Sequence, residues 1–286
     1  MYYFDNAATT AQKPKAVSKA VFEALTAGDI GNPSRGAHGY SLKAYDIVLT
    51  AKHRVQTLFN GKDLYDVAFT HNSTVALNMV LKGLIRPGDG VMTTAWEHNA
   101  VLRPLYQLEA LGAELTVIPA ASPTGGLAYG DVEGLLTPKT KWLVCNHASN
   151  VTGNVLDLNR IKAFCRNHCL GLIVDASQTA GAYDIDLSDG IVTAACFTGH
   201  KSLYGRAERG ESSSARRLCP AVYYRRRRCS YFEKAQPSVV PAVFEAGTAN
   251  VAGIAGLSAA VELILKKGIP LSGLIKRNWP GLLFPL

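Results

Sequence analysis

A lysine and an aspartate lie at the ends of two predicted strands that follow each other along the chain. The hydrophobic run Leu172-Ile173-Val174 leads directly into Asp175, and Lys201 closes the later run Thr198-Gly199-His200-Lys201. A lysine amine can hold an aldehyde as a Schiff base, and a carboxylate can keep a pyridine nitrogen protonated. Pyridoxal phosphate needs both groups, so the pair predicts a site for that cofactor.

Each half of this pattern has an ordinary alternative. A single Asp at a strand end more often caps a helix or forms a turn, and a single Lys after a strand is usually solvated. The stretch Gly199-His200-Lys201-Ser202 also resembles a nucleotide-binding P-loop, but that loop needs Gly directly before its Lys, where His200 stands. The two residues together, on successive strands, favour the cofactor site.

Short apolar strands alternate with amphipathic helices along most of the chain. This alternation predicts an α/β fold with a mostly parallel sheet and helices on both faces. The predicted strands are 67–70, 90–94, 114–119, 141–147, 171–176 and 194–198, and the predicted helices are 74–84, 99–111, 131–136 and 158–168.

Ligands in such sheets bind where the strands end, at their carboxyl termini. Side chains able to bind a cofactor therefore have to be found at these ends or in the loops that follow. The candidates that meet this condition are Ser73, Thr74, His98, Asn150, Asp175 and Lys201.

The formal net charge of +8 is concentrated in one segment. Residues 206–228 contain eight arginines against two glutamates, which is +6 and leaves +2 for the rest of the chain. Such a run can bind nucleic acid, but no recognisable nucleic-acid motif accompanies it. The sequence contains no stretch of about 18 uninterrupted apolar residues, so it predicts no membrane-spanning helix. We therefore expect neither a nucleic-acid nor a membrane partner.

The cysteines indicate a reducing compartment. The six of them show no disulfide-framework spacing. Cys165, His168 and Cys169 fall on one predicted helix but lack a second ligand pair at zinc-like spacing, so no metal site is predicted. Since no basic region followed by an apolar run begins the chain, we expect no signal peptide and a cytoplasmic protein.

Eight short motifs occur in a fixed order along the chain. They are Tyr3-Phe4-Asp5-Asn6-Ala7-Ala8-Thr9-Thr10, Gly31-Asn32-Pro33-Ser34-Arg35-Gly36-Ala37-His38, Asn72-Ser73-Thr74-Val75-Ala76-Leu77-Asn78, Glu97-His98-Asn99-Ala100, Ser149-Asn150-Val151-Thr152-Gly153, Asp175-Ala176-Ser177-Gln178, Thr198-Gly199-His200-Lys201 and Glu245-Ala246-Gly247-Thr248-Ala249-Asn250. With them the chain resembles the cysteine desulfurases, in the class V aminotransferase branch of the fold-type I pyridoxal phosphate enzymes. The resemblance covers residues 1–205 and about 231–268.

The resemblance implies roles for the residues around the cofactor ring. Lys201 would bind the cofactor aldehyde and then act as the base that moves the proton at the substrate Cα. His98 would stack on the ring, with a second role in proton transfer, and Asp175 would pair with the ring nitrogen. Gln178 would hydrogen-bond the phenolic oxygen, with Asn150 near that oxygen and the substrate carboxylate.

The resemblance also implies a phosphate site at the start of a helix. Thr74 would bind the phosphate through its hydroxyl and the first backbone amides of that helix. Thr198 and His200 would add donors to the same phosphate. Because the family's members resemble one another in being homodimers with shared sites, Thr248 would reach the phosphate of the neighbouring subunit. For the three threonines, ordinary capping or turn formation is the alternative.

Two segments depart from the family pattern. Residues 206–230 stand where the family has a glycine-rich segment and a strand, and the change motivates the hypothesis of a frame-shifted stretch. The chain stops 85 residues after Lys201, before the small domain that carries the family's persulfide-forming cysteine. We therefore expect an N-terminal arm at 1–20, a cofactor-binding large domain at 21–268 and a truncated tail at 269–286.

The resemblance implies a pyridoxal-phosphate-dependent cysteine desulfurase, a sulfurtransferase. It would convert L-cysteine to L-alanine and pass the sulfur to iron–sulfur cluster assembly or another acceptor protein. Since no cysteine matches the family's nucleophile, we expect impaired activity in this chain. Two alternatives stay open: a selenocysteine lyase or other class V aminotransferase, and a non-catalytic protein that binds acidic partners or RNA through its arginines.

Overall fold

The fold is seen in a computed structural model, which describes most of the chain. The residues described are 3–33, 37–62, 64–121, 126–205, 244–245 and 248–269, together with the backbone of 221–225.

The described strands form one twisted sheet at the centre of the molecule. They are β1 (Tyr65–Phe69), β2 (Gly90–Thr94), β3 (Glu114–Ile118), β4 (Thr140–Asn146), β5 (Gly171–Asp175), β6 (Val192–Cys196) and β7 (Ala221–Arg225). Their order across the sheet is β1-β7-β6-β5-β4-β2-β3. The pairs from β6 through β3 are parallel, and β7 is antiparallel to both β1 and β6.

Helices connect and cover these strands. They are α1 (Lys15–Thr26), α2 (Gly39–Leu58), α3 (Ser73–Leu84), α4 (Asn99–Ala110), α5 (Leu158–Asn167) and α6 (Val251–Lys267). The helix predicted at 131–136 is only a single 3-10 turn, Glu133–Leu135. Within the described ranges, none of the helices is long and apolar enough to cross a membrane.

Two apolar layers lie on opposite faces of the sheet. Successive side chains of a strand point to opposite faces, and on β5 Leu172 and Val174 join one layer while Ile173 joins the other. The first layer contains residues of α2, α5 and α6, and the second contains residues of α3 and α4. Burial on both sides explains why the central strands are continuously apolar. The predicted mostly parallel sheet with helices on both faces is confirmed.

Helix α1 begins at Lys15 and continues through Thr26, across the boundary at residue 20 expected from the sequence. We therefore use "the arm" for residues 3–14. Strand β7 falls inside the 206–230 segment, where no strand was predicted, and completes the pairing between β1 and β6. The rest of that segment and the tail from residue 270 lie outside the described residues.

Candidate active site

A cleft opens at the carboxyl ends of β2, β4 and β5. It contains about 340 Å³ of space when this is counted out to its open mouth. Its lining consists of Ser73, His98, Asn146, Ala148, Asn150, Asp175, Ser177, Gln178 and Lys201. The structure thus brings together six of the residues selected from the sequence.

Asp175 is a buried carboxylate held at the end of β5. The strand before it is apolar and buried, and Asp175 itself is 5% exposed. The backbone N–H of Ser177 donates to its Oδ1 at 2.9 Å. This hydrogen bond fixes the carboxylate in the cleft and leaves its other oxygen available to a ligand.

Lys201 lies in the loop that follows β6, within the electrostatic influence of Asp175. Its backbone carbonyl accepts hydrogen bonds from Thr10 Oγ1 at 2.6 Å and from the N–H of Tyr204 at 3.0 Å. Burial lowers the pKa of the Lys201 amine, and the negative charge of Asp175 partly opposes this effect. The two residues on which the cofactor prediction depends therefore face the same cleft.

His98 is fixed by its position as the N-cap of α4. Its Nδ1 accepts a hydrogen bond from the backbone N–H of Ala100 at 3.0 Å. An accepting Nδ1 places the proton of the neutral ring on Nε2. The ring therefore enters the cleft with a defined tautomer and a donor at Nε2.

The first turn of α3 forms another wall of the cleft. Asn72 is the N-cap of α3, and its side chain accepts from the N–H of Val75 at 2.9 Å. Ser73 lines the cleft. The backbone amides of a first helical turn have no partner within their own helix and favour an anion. Thr74 is exposed on the same turn and is not among the lining residues.

The arm holds the lysine loop from outside the cleft. Thr9 Oγ1 lies 3.0 Å from Nδ1 of His200, and Lys13 Nζ donates to the His200 carbonyl at 2.7 Å. Gln178 Nε2 donates to the carbonyl of Ala7 at 3.1 Å. The arm therefore contacts the loops that follow β5 and β6, through residues 171 and 191 positions apart in sequence.

Three more of the predicted phosphate ligands are not among the residues that line the cleft. Thr198 is buried in the loop after β6, and the His200 ring turns towards Thr9. Thr248 is exposed and accepts from Nδ2 of Asn32 at 3.4 Å. Residues 34–36 and 246–247 of the family motifs lie outside the described residues. The phosphate roles of Thr198, His200 and Thr248 stay predictions.

Asn146, Ala148 and Ser177 line the cleft but were not selected from the sequence. Asn146 ends β4 and is the register partner of Asp175 on the neighbouring strand. The rule that selected Asp175, a polar residue at the end of a parallel strand, applies equally to Asn146. Ser177 lies two residues beyond Asp175, and its buried Oγ has no hydrogen-bond partner among the described residues.

Cys165 lies on α5, and His168 and Cys169 follow the end of that helix. Cys165 is buried, whereas Cys169 is exposed beyond the end of the helix. His168 Nε2 lies 3.5 Å from Oε1 of Glu133. In the part of the chain that the structure describes, no three His, Cys, Asp or Glu side chains are grouped to hold an ion.

Comparison with known proteins identifies the family. The sequence model described as Aminotransferase class-V matches residues 2–272. The chain belongs to the class V aminotransferases. Curated relatives include a cysteine desulfurase of Synechococcus elongatus, 29% identical over 286 residues and covering 94% of this chain and 44% of that protein. The cysteine desulfurase IscS of Pectobacterium carotovorum is 31% identical over 207 residues, 71% of this chain and 50% of that protein.

This class V chain spans about half the length of the curated relatives that it matches. Among solved structures, it resembles the apo cysteine desulfurase of Thermococcus onnurineus with a TM-score of 0.79 at 26% identity, over 93% of this chain and 68% of that one. It also resembles the Escherichia coli cysteine desulfurase CsdA, with a TM-score of 0.73 at 28% identity, over 95% and 69%. The fold-type I prediction is confirmed.

The described residues fit the family's cofactor. Class V aminotransferases and cysteine desulfurases are pyridoxal phosphate enzymes. The cleft offers a buried carboxylate at Asp175 for a protonated pyridine and an amine at Lys201 for an aldehyde. The Ser177 hydroxyl, buried and without a partner among the described residues, can bond a polar group of the same ligand.

Proposed function

We propose that this chain is the cofactor-binding part of a pyridoxal-phosphate-dependent cysteine desulfurase. The observation that carries the proposal is the convergence of Lys201, Asp175 and His98 on one cleft at the strand ends. The names of the matched relatives support the choice within the family. A solved structure described as SspA in complex with cysteine, 25% identical with a TM-score of 0.75, supports cysteine as the substrate.

The residues of the cleft would divide the chemistry among them. Bound pyridoxal phosphate supplies an aldehyde for the amino group of the substrate and an electron sink for its Cα. The Asp175 carboxylate would keep a proton on the pyridine nitrogen. The lowered pKa of Lys201 raises the fraction present as the free amine, the form that bonds an aldehyde and accepts the Cα proton. His98 would cover one face of the ring.

The polar rim of the cleft would orient the ligand. Ser73 and Thr74 would bind the phosphate with the first amides of α3. Thr198 and His200 would add donors from the loop after β6. Burial and the charges of Lys201 and Lys13 lower the pKa of His200 to about 4, so its ring is neutral at pH 7 before a ligand binds.

Gln178 and Asn150 would lie on the side of the phenolic oxygen. Both line the cleft. Gln178 Nε2 already donates to the carbonyl of Ala7, which fixes the orientation of its amide. Asn150 is exposed in the loop after β4, where it could also meet the carboxylate of the substrate.

Completion of the sulfur transfer would need a nucleophile from elsewhere. None of the four described cysteines lines the cleft, and three of them are buried. Burial raises the pKa of Cys165 to about 12 and that of Cys145 and Cys196 well above the usual thiol value, so these thiols do not ionise at neutral pH. We expect L-cysteine and a reductant to yield little alanine and sulfide with this chain.

The proposed assembly is a cytoplasmic homodimer that hands sulfur to an acceptor, such as the iron–sulfur assembly machinery. Thr248 is exposed on a segment anchored by Glu245, which accepts from the N–H of Phe69 at 2.9 Å and pairs with Lys52 at 2.7 Å. This anchored, exposed position supports the proposal that Thr248 serves the phosphate site of a second copy. Residues 21–268 would form the cofactor-binding domain.

Cofactor retention and substrate response test the proposal together. The purified chain is dialysed against pyridoxal phosphate, and L-cysteine is then added while the absorbance spectrum is recorded. We expect the wild type to retain the cofactor, Asp175→Ala to retain about tenfold less, and L-cysteine to change the spectrum where D-cysteine does not. Failure of the wild type to retain cofactor, or equal responses to both enantiomers, would contradict the proposal.

A further inference from the structure

A buried glutamate lies behind the cleft and is used by none of the roles assigned above. Glu97 follows β2, directly precedes His98 and is 8% exposed. Its Oε1 accepts from Thr94 Oγ1 at 2.5 Å and from the backbone N–H of Asn146 at 2.9 Å. Since Thr94 ends β2 and Asn146 ends β4, the Glu97 carboxyl joins the ends of two neighbouring strands.

Glu97 is directly connected to two lining residues of the cleft, one through the chain and one through a hydrogen bond. His98 follows it in sequence, and Asn146 lines the cleft beside its register partner Asp175. Asn146 Nδ2 donates to the carbonyl of Trp96 at 2.5 Å, which closes the link from β4 back to the segment that carries Glu97. Glu97 is not itself a lining residue, so any influence on the ligand passes through His98 and Asn146.

If Glu97 is ionised, this cluster contains two buried hydrogen-bond acceptors that lack a donor. Glu97 Oε2 and Asn146 Oδ1 are both buried acceptors with no hydrogen-bond partner among the described residues. A buried carboxylate with one bare oxygen is costly, whereas a proton on Oε2 turns one of the two unpaired acceptors into a donor.

Two titratable groups on neighbouring strands lie close to Glu97. Asp175 on β5 faces Glu97 with a like charge, and Cys145 on β4 lies close enough for Glu97 to raise the pKa of its thiol further. Burial, assisted by Asp175, raises the pKa of Glu97 to about 8, and this effect outweighs the hydrogen bonds from Thr94 and Asn146, which favour the charged form. The adjacent His98 ring accepts a backbone N–H at Nδ1.

We propose that Glu97 is a positioning residue that acts as a neutral, protonated carboxyl, joining the ends of β2 and β4 behind the cleft. Its neutrality leaves Asp175 without a second negative charge beside it, so the Asp175 carboxylate is free to pair with a cation in the cleft. Its two hydrogen bonds hold Thr94 at the end of β2 and Asn146 at the end of β4 together, and His98 follows it directly in sequence. The importance for ligand binding rests on the proposed cofactor site, whereas the protonation state does not.

The protonation state is tested on the protein without any ligand. Infrared difference spectra between the wild type and Glu97→Gln at neutral pH should show the carbonyl stretch of a protonated, buried carboxyl in the wild type alone. That band should disappear as the pH is raised above about 8. Carboxylate bands at neutral pH in place of the carbonyl stretch would overturn the proposal.

The positioning role is tested with a matched pair of variants. Glu97→Gln keeps the shape and the Oε1 acceptor of the neutral acid, whereas Glu97→Leu removes both hydrogen bonds. We expect E97Q to bind pyridoxal phosphate within about threefold of the wild type and E97L to bind it at least about tenfold more weakly. Equal losses in E97Q and E97L would overturn the neutral role.

The tautomer of His98 distinguishes a positioning role of Glu97 from a purely structural one. It is observed through the nitrogen chemical shifts of the His98 ring. We expect E97Q to keep the proton on Nε2 and E97L to mix the two tautomers. An unchanged tautomer in a folded E97L would overturn the positioning role.

If E97L does not fold, the infrared result and the affinity of E97Q still decide the proposal. If the wild type binds no cofactor, the proposed function fails while the infrared result still decides the protonation state.

Discussion

Lys201 is subject to two opposing influences on its charge. Burial lowers the pKa of its amine, and the negative charge of Asp175 raises it. Neutralising the carboxylate with Asp175→Asn should therefore lower the pKa of Lys201 further. The measurement is the pH dependence of amine acylation at the Lys201 peptide, followed by mass spectrometry. The midpoint should move to lower pH in D175N and stay in place in the exposed control Asp131→Asn; a rise in D175N would contradict the assignment.

His98 combines two tasks that substitution can separate. Its Nδ1 caps α4, and its ring lines the cleft. Asn is a good N-cap and Ala is not, so we expect His98→Ala to cost about 1 kcal/mol of unfolding free energy and His98→Asn to cost much less. Both should lose cofactor affinity, because both lose the ring. Urea denaturation and cofactor titration separate the effects; full affinity in H98N would show that the ring does not contact the ligand.

The sequence alone predicted the chemistry of the cleft better than it predicted the full set of residues that line it. Asp175 was found because it ends an apolar run, and the same reasoning would have found Asn146. Lys201 was found because it closes the run after the next predicted strand, and the structure places it in the loop after β6. Glu97 was visible in a motif, yet its role depends on hydrogen bonds to Thr94 and to the end of β4, 49 residues away. Contacts of that kind depend on strand order, which local patterns do not determine.

At the scale of elements, the arm is the part of the fold that connects most directly to function. Thr10 Oγ1 donates to the Lys201 carbonyl at 2.6 Å, and loss of such a bond costs about 1 kcal/mol. We expect Thr10→Val to lower stability by about this amount and to weaken cofactor binding. The control Thr26→Val removes a comparable bond to Phe22 within exposed α1 and should leave cofactor binding unchanged. Equal binding in both variants would show that the arm does not position the lysine loop.

The predicted strands agree with the structure better than the predicted helices do. All six predicted strands coincide with observed strands to within two residues. Helices α1, α2 and α6 were not assigned; on α2, Tyr40, Leu42 and Tyr45 are exposed while Ser41 and Gln56 are buried. The apolar period of α2 is therefore obscured. Strand β7 was missed because its apolar stretch is short and lies in the arginine-rich segment.

For the whole molecule, buried titratable groups link folding to pH. Burial lowers the pKa of His147 from 6.5 to about 4, and burial with nearby lysine charges does the same for His200. For both histidines the unfolded chain binds more protons, so their contribution to stability is lost as the pH falls from 6.5 towards 4. Glu97 acts in the opposite sense: with a folded pKa of about 8 against 4.5, its contribution is lost as the pH rises from 4.5 towards 8.

The difference between the wild type and Glu97→Gln isolates one of these groups. Both chains contain the same histidines and lysines, so their effects cancel in the difference. We expect E97Q to gain stability relative to the wild type steadily as the pH rises from about 4.5 to about 8. Urea midpoints at several pH values provide the measurement. A difference that does not vary with pH would show that Glu97 titrates alike in the folded and unfolded chains.

The site at which pyridoxal phosphate bonds to the chain tests the central claim most directly. The protein is incubated with the cofactor, reduced with borohydride, digested and examined by mass spectrometry. Lys13 is a demanding internal control, because burial lowers its pKa to about 8 and it contacts the residue next to Lys201. We predict a cofactor label on Lys201 in the wild type and in Lys13→Arg, and none in Lys201→Arg. A label on Lys13, or one spread over surface lysines and unaffected by K201R, would contradict the account.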